Sequence, residues 1–244
     1  MFKRYCMHIV VLVLMFVVAG CVELSNNQTL NSLLTSYSAS SAALDENTIA
    51  AGLRQALEVG SEKASLQASA SGGFLNDEKL HIQLPEKLSA MTNTLRNVGL
   101  GAQVDKFEVG MNRAAEAAAA EAKPVLVDAI KEMSLSDAMS ILQGSDTSAT
   151  EYFRAKTGAT LQQRFTPVIA DKMQSVGVYS VYSQLKSAYT AIPFASKPDF
   201  DLETYLTDKT QDGLFYLIAQ EEKKIRSDPA ARTTELLQRV FAAQ

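Results

Sequence analysis

The sequence predicts an all-α protein: a single multi-helix domain of about eight to ten helices with at most a short β element, behind a signal peptide and a flexible tether. Three observations carry this. Apolar residues recur at helical spacing from Ile49 to Phe241. Glycine, proline and capping residues punctuate those stripes at short intervals. The one alternation of strand type, Leu80, Ile82 and Leu84, is confined to the few residues before Pro85.

The N-terminus comes first. Lys3 and Arg4 form a positive segment, and Ile9 to Ala19 is an unbroken apolar run, too short for a spanning helix of ~20 residues. Val18-Ala19-Gly20-Cys21 closes it. Small residues suit a peptidase pocket, and cleavage after Gly20 would leave the Cys21 thiol at the new N-terminus, free to carry diacylglycerol as a thioether. Residues 1–20 are therefore expected to be a lipoprotein signal peptide, with Cys21 as the lipidation site. The competing readings are an ordinary signal peptide with a chance Cys, or an uncleaved membrane anchor.

In a Gram-negative cell Cys21 would carry three acyl chains, palmitate among them. Each buried CH₂ contributes ~0.8 kcal/mol, so three chains hold in effect permanently. Position 22 is Val and not Asp, which under the usual sorting rule points to the periplasmic face of the outer membrane.

Removing residues 1–20, with Lys3 and Arg4, leaves 224 residues and takes the net charge from −4 to −6. That length suffices for one domain with its own core. An acidic domain without a basic stripe argues against nucleic acid and against electrostatic docking on anionic lipid. Attachment to the membrane would then rest on the lipid. Cys6 goes with the signal and Cys21 with lipidation, so no disulfide, thiolate nucleophile or Cys metal site is expected. His8 also goes with the signal, and any Ser-His-Asp chemistry would have to use His81. No cofactor and no multi-His metal centre is expected.

Residues 21–46 are rich in Ser and Asn and poor in large apolar side chains, which predicts a flexible tether with a reach of ~25–30 Å. The domain is expected over 47–244. Ile49, Leu53, Ala56 and Leu57 begin a helical stripe that runs toward Gln67, and Gly72-Gly73 marks a break. After the extended segment 80–84, Pro85 suits a first helical turn, followed by Leu88, Met91, Leu95 and Val98 and ended by Gly99 and Gly101.

The helix expected over Ala102–Lys123 carries Val104, Phe107, Met111, Ala114, Ala115 and Ala118 on one face. Its alanine block combines high helix propensity with close approach of neighbours, which predicts a central, buried helix. Pro124 kinks or restarts it ahead of Leu126, Ile130 and Met133.

Ser134 to Asp137 predicts an N-cap for a short helix stopped by Gly144, and Ser148 to Glu151 predicts a capping box for the next, running toward Gly158. Leu161, Phe165, Val168, Ile169 and Met173 predict a further helix bent at Pro167 and stopped by Gly177. Val178 to Ile192 is another, and Pro193 to Phe200 a loop with two prolines. Asp201 caps a helix through Leu206; Leu214, Leu217, Ile218 and Ile225 mark a following one, with Glu221 to Lys224 facing solvent. Asp228-Pro229 is a cap followed by a first turn, and the last helix packs through Leu236, Leu237, Val240 and Phe241.

Five segments carry a resemblance: GGFLN (72–76), IQLPEKL (82–88), VDKFEVGMNRAAEAAAAEAKP (104–124), ILQGSDTSATEYFR (141–154) and TDKTQDGLFYLIAQEEKKIRSDPAARTTELLQRVF (207–241). Over about residues 47–242 the chain resembles the proteobacterial lipoprotein family known as domain of unknown function four-one-nine-seven. The resemblance implies a helical periplasmic domain behind a lipid-carrying N-terminus, and no catalytic residues.

Few side chains stand out as a site, and no catalytic, cofactor or metal residue is assigned. His81 is either a ligand contact or general base, or a structural histidine. Asn112, Arg113 and Glu116 flank the alanine face of the central helix. Arg113 and Glu116, three apart, form either a surface ion pair of ~0.2–0.5 kcal/mol or the edge of a pocket for an anionic group. Asp199, Asp201 and Glu203 alternate like the start of a calcium loop, but the glycine and glutamate that such a loop needs are missing. Asp212 to Tyr216 is read as part of an aromatic core stripe, and the tyrosines as core and groove residues.

The leading expectation is a lipid-anchored, non-enzymatic module of the cell envelope that binds an envelope protein or another envelope component. The alternatives are a carboxylate-dependent hydrolase of an envelope glycan or lipid, and a carrier of an apolar ligand.

Overall fold

Asp45 opens the first helix: its carboxylate accepts the backbone N–H of Thr48 at 3.0 Å and the Thr48 hydroxyl at 2.6 Å. The domain thus begins two residues before the expected boundary. The computed structural model describes residues 45–193, 195, 199–232, 234, 236, 238 and 240, all within the unit Asp45–Gln244. The signal peptide, Cys21, the tether up to residue 44, part of the Pro193–Phe200 loop, Leu237 and Phe241 lie outside the described residues.

Among the described residues the α-helices with continuous ranges are, in order, α1 (Glu46–Ser69), α2 (Ser89–Asn97), α3 (Gly101–Ala119), α4 (Ala122–Lys131), α5 (Leu135–Gln143), α6 (Ser148–Ser175), α7 (Val178–Thr190) and α8 (Leu202–Ser227). Short 3-10 turns lie at Glu86–Leu88 and Pro229–Ala231. Among the described residues none is in a strand, and no helix is long and apolar enough to cross a membrane. The all-α class holds.

The expected central helix is central. α3 packs against α1, α2, α6, α7 and α8, with Val104, Phe107, Met111, Ala114, Ala115, Ala118 and Ala119 fully buried. Alanines let the neighbouring backbones close in, and Phe107 fills the wider end by stacking on Tyr182 with ring centroids 5.3 Å apart. α1 uses the same device. Gly52, Ala56, Gly60, Ala64 and Ala68 recur every fourth residue and are all buried, on a helix that packs against α8. A Cβ at Gly52 would stand 2.8 Å from Val240 Cγ2, so the last helix, which includes Leu236 and Val240, lies directly on α1.

Several expected boundaries move. α6 is one helix of 28 residues through Gly158 and Pro167, and α8 one of 26 through Gly213. An interior proline costs ~3 kcal/mol. Leu161, Phe165, Ile169 and Met173 are fully buried on both sides of exposed Pro167, at ~1.5–3 kcal/mol each, so burial outweighs the break. α3 ends at Ala119, before the expected Lys123, and Pro124 falls in the first turn of α4, where a missing N–H costs little. Gly99, at φ 90°, makes the turn after α2, so Gly101 opens α3 and Val98 is left 61% exposed, off the apolar stripe.

The capping box at Ser134 forms as expected: its hydroxyl accepts from Asp137 N at 3.0 Å while Asp137 accepts from Ser134 N at 3.1 Å. The one expected at Ser148 and Glu151 does not. The N–H groups of Ala149 and Thr150 go instead to the carboxylate of Glu222, at 3.0 and 2.9 Å, which also accepts from the Thr150 hydroxyl. Glu222 is only 6% exposed and so does not face solvent. Arg226 pairs with it at 3.0 Å and donates to the Ile141 carbonyl at 2.8 Å at the end of α5. One carboxylate and one guanidinium on α8 thereby bind a helix start and a helix end, each with the charge that the local helix dipole favours.

Candidate functional site

The link between α1 and α2, residues 70–85, folds back over α3, and a row of polar side chains on that helix receives it. Glu108, Asn112 and Glu116 are four residues apart, so they line up on one face. Glu116, 5% exposed, accepts backbone N–H groups from Gly72, Phe74 and Leu75 on Oε1 at 3.0, 3.3 and 3.1 Å. Its Oε2 accepts from Arg113 at 2.7 Å, and Arg113 also reaches the Ser71 hydroxyl at 3.0 Å. Three converging donors on one buried carboxylate make a charge-assisted clamp.

Asn112 is wholly buried and grips Ile82 on both sides: Oδ1 accepts from Ile82 N and Nδ2 donates to Ile82 O, each at 2.9 Å. The side-chain amide thus replaces a neighbouring strand, which is why the alternating segment 80–84 is extended without pairing in a sheet.

His81 completes the clamp. Nδ1 contacts the Leu75 carbonyl at 2.9 Å and Nε2 contacts Glu108 Oε1 at 2.8 Å. Both partners accept hydrogen bonds, so the arrangement favours the protonated ring, in which both nitrogens donate. The hydrogen bond to Glu108 raises the pKa above 6.5, against a smaller opposing effect of burial. With no lone pair exposed, His81 is not placed to act as a general base here. Arg96 Nη2 lies 3.9 Å from the second oxygen of Glu108, and Arg96 Nη1 pairs with Asp105 at 2.6 Å.

The four side chains singled out in the sequence, His81, Asn112, Arg113 and Glu116, therefore meet at one place, and all four hold the same link. The expected Arg113–Glu116 ion pair forms, with the Arg113 side chain 36% exposed and that of Glu116 6%. Glu108 was missed, although polar residues every fourth position on an otherwise apolar helix are a readable signal.

The clamped link forms one wall of a cleft of about 400 Å³, and α8 forms the other. Tyr205 ties the walls together, its hydroxyl donating to the Gln83 carbonyl at 3.0 Å. Phe74, fully buried, fills the space at Gly213, where an added Cβ would stand 2.6 Å from Cε1 of the ring. Lys79, His81, Gln83, Tyr205, Lys209 and Tyr216 face the opening. Tyr216 is 39% exposed, which corrects its placement in a core stripe; Phe215 beside it is the buried member. Asp212 also lines the cleft and is bridged by Arg154 at 3.2 Å.

The remaining candidates are structural. Asp201 caps α8 by accepting from Thr204 N at 3.0 Å, which holds its carboxyl below the usual range. Glu203 accepts the Tyr179 hydroxyl, and burial followed by that carboxylate drives the phenol pKa up. Among the described residues no three His, Cys, Asp or Glu side chains gather closely enough to hold a metal ion. A second hollow, of about 410 Å³ between α4 and α6, carries Asp128, Glu132, Lys156 and Arg164 with no bias of sign.

No curated protein and no solved structure matches the chain. A family does, over residues 43–242: the chain belongs to the family described as "Protein of unknown function (DUF4197)".

Proposed function

We propose that the protein is a lipid-anchored lipoprotein of the bacterial cell envelope, whose helical domain is a binding module with the cleft between residues 79–83 and α8 as its binding face. The anchor reading rests on Val18-Ala19-Gly20-Cys21 behind an apolar run, and Val22 favours the outer membrane. The binding reading rests on one observation. The irregular wall of the cleft is fixed by buried side chains of α3, so the cleft is preformed, and preformed concave sites bind without a cost of ordering.

A binding role is favoured over a hydrolase because the imidazole and the carboxylates nearest the cleft are already engaged. Both ring nitrogens of His81 are hydrogen-bonded, Glu116 holds backbone, and Asp212 pairs with Arg154. A carrier of an apolar ligand draws less support, since the two hollows described above are open and carry charged groups.

Two measurements test this. Cys21→Ala is expected to abolish acyl labelling and leave an unprocessed precursor; normal labelling and processing of the variant would remove the anchor. A photo-crosslinking residue at position 216 is expected to give discrete adducts in cells that the same residue at Lys123, outside the cleft, does not. Identical adducts from both positions would remove the cleft as the binding face.

A further inference from the structure

The cleft runs against the charge of the rest of the molecule. The full chain carries a net −4, yet Lys79, His81 and Lys209 share this opening. The acidic side chains facing it are already matched: Asp212 to Arg154, and Glu108 to His81 with Arg96 beside it. Among the described residues no carboxylate pairs with Lys79 or Lys209, and Lys209 lies 6.0 Å from the centre of the Tyr205 ring. Two ammonium groups without a paired carboxylate thus share the cleft with the His81 ring. An oxyanion placed there would gain charge-assisted hydrogen bonds from the lysines.

The donor chemistry narrows the anion. Lysine ammoniums are compact charges on flexible stems that bind phosphate as point charges, and two of them match the up to two negative charges of a phosphate monoester. Beside them, the exposed ring of Tyr216 and the half-buried ring of Tyr205 offer apolar faces with a hydroxyl rim, and Gln83 adds an exposed amide. Such a surface suits a polyol or ring carried on the phosphate. About 400 Å³ lies within the range of small-molecule sites.

We propose that this cleft binds the phosphate ester of a small polyol or sugar, with Lys79 and Lys209 on the phosphate and Tyr205 and Tyr216 against the carbon skeleton. This inference rests on the cleft being the binding face. Two sources share the chemistry: a soluble sugar phosphate, or the headgroup of a phospholipid at the membrane.

The test uses the full chain carrying His8→Gln, which leaves His81 as the only imidazole, labelled with ¹⁵N and held in nanodiscs of phosphatidylcholine. Addition of glucose 1-phosphate is expected to shift the His81 ring signals saturably. Nanodiscs that include phosphatidylglycerol provide the second arm. A shift with the soluble ester assigns the soluble source, and a shift only with phosphatidylglycerol assigns the headgroup; either supports the proposal. The double variant Lys79→Glu, Lys209→Glu is expected to weaken the response by about tenfold or more, whereas Lys123→Glu, a reversal of the same charge elsewhere, leaves it in place.

Silence in both arms, or a response unaltered by the double variant, or one weakened equally by Lys123→Glu, overturns the proposal. Adducts specific to position 216, found alongside silence in both arms, would overturn the ligand class and leave the binding face standing. Loss of those adducts would remove the face itself.

Discussion

Two buried glutamates hold backbone in this molecule, and they do so for different ends. Glu222 accepts from Ala149 and Thr150 at the start of α6 and is paired with Arg226, which reaches on to the end of α5. The adjoining void is about 10 Å³, no more than a single water occupies, which leaves no room for a ligand. Glu116 accepts from Gly72, Phe74 and Leu75, none of them helical, and beyond that link lies the open cleft. One carboxylate joins regular elements to one another. The other keeps irregular backbone in a single shape where solvent and ligands can reach it. A buried ionic group is weak evidence for stability as such, because desolvation opposes it; what it secures in the second case is the form of a surface.

The largest expected effect breaks the first region. Glu222→Ala leaves two N–H groups, a hydroxyl and Arg226 without their partner, and is expected to cost ~3–5 kcal/mol in chemical denaturation. Glu116→Ala removes a comparable set of bonds, but its loss is expected to appear first as faster amide exchange at Gly72, Phe74 and Leu75, with the helices still protected. Uniform loss of protection across α6 and α8 in that variant would contradict the distinction.

Next in size is Gly213→Val, which drives a side chain into Phe74 and is expected to cost about 1–3 kcal/mol while shifting residues 74–83 and leaving the α5–α6 junction unmoved. Unchanged chemical shifts along the link would show that Phe74 has room to give.

pH separates the two regions without a mutation. The folded pKa of His81 is raised above 6.5, so its contribution is fully present below that value and is lost as pH rises through the folded pKa. The link at 71–83 is therefore expected to exchange faster in mildly alkaline buffer, while the start of α6, which rests on Glu222 and Arg226, keeps its protection. His81→Gln is expected to remove the difference; persistence of it would place the titration elsewhere. The smallest effect is at the helix starts. Asp45→Ala is expected to lower the midpoint of chemical denaturation only slightly. Asp45 and Asp137 have lowered pKa values through their Thr48 and Ser134 hydrogen bonds, so that stability is present above the usual aspartate range and is lost as pH falls through the folded values.

Local signals in the sequence were reliable wherever the cause was local. The alanine face of α3, the Ser134–Asp137 capping box and the turn at Gly99 each depend on residues a few positions apart, and the structure bears them out in kind. Long-range burial overrode the rest. Pro167 and Gly213 read as breaks, but the apolar faces that run past them are packed against other helices. Glu222 read as part of a solvent face because its partners are more than 70 residues away. The candidate site was legible as a list of residues and illegible as a role. His81, Asn112, Arg113 and Glu116 do converge, but nothing local could tell that backbone, rather than a ligand, would occupy them, or that Lys79, Lys209 and Tyr216 would face the opening beside them.

The single hydrogen bond from Tyr205 to Gln83 also sets an order of events as the chain folds. The contacts from α3 that fix the link close over 27 to 44 residues, whereas the hydrogen bond that joins it to α8 spans 122. Loop-closure entropy grows with the logarithm of that separation, and contacts between distant segments form slowly. One wall of the cleft is thus able to assemble from the first half of the domain, and the other must wait for α8 to be delivered. A chain that emerges N-terminus first acquires its opening only near the end of its own synthesis.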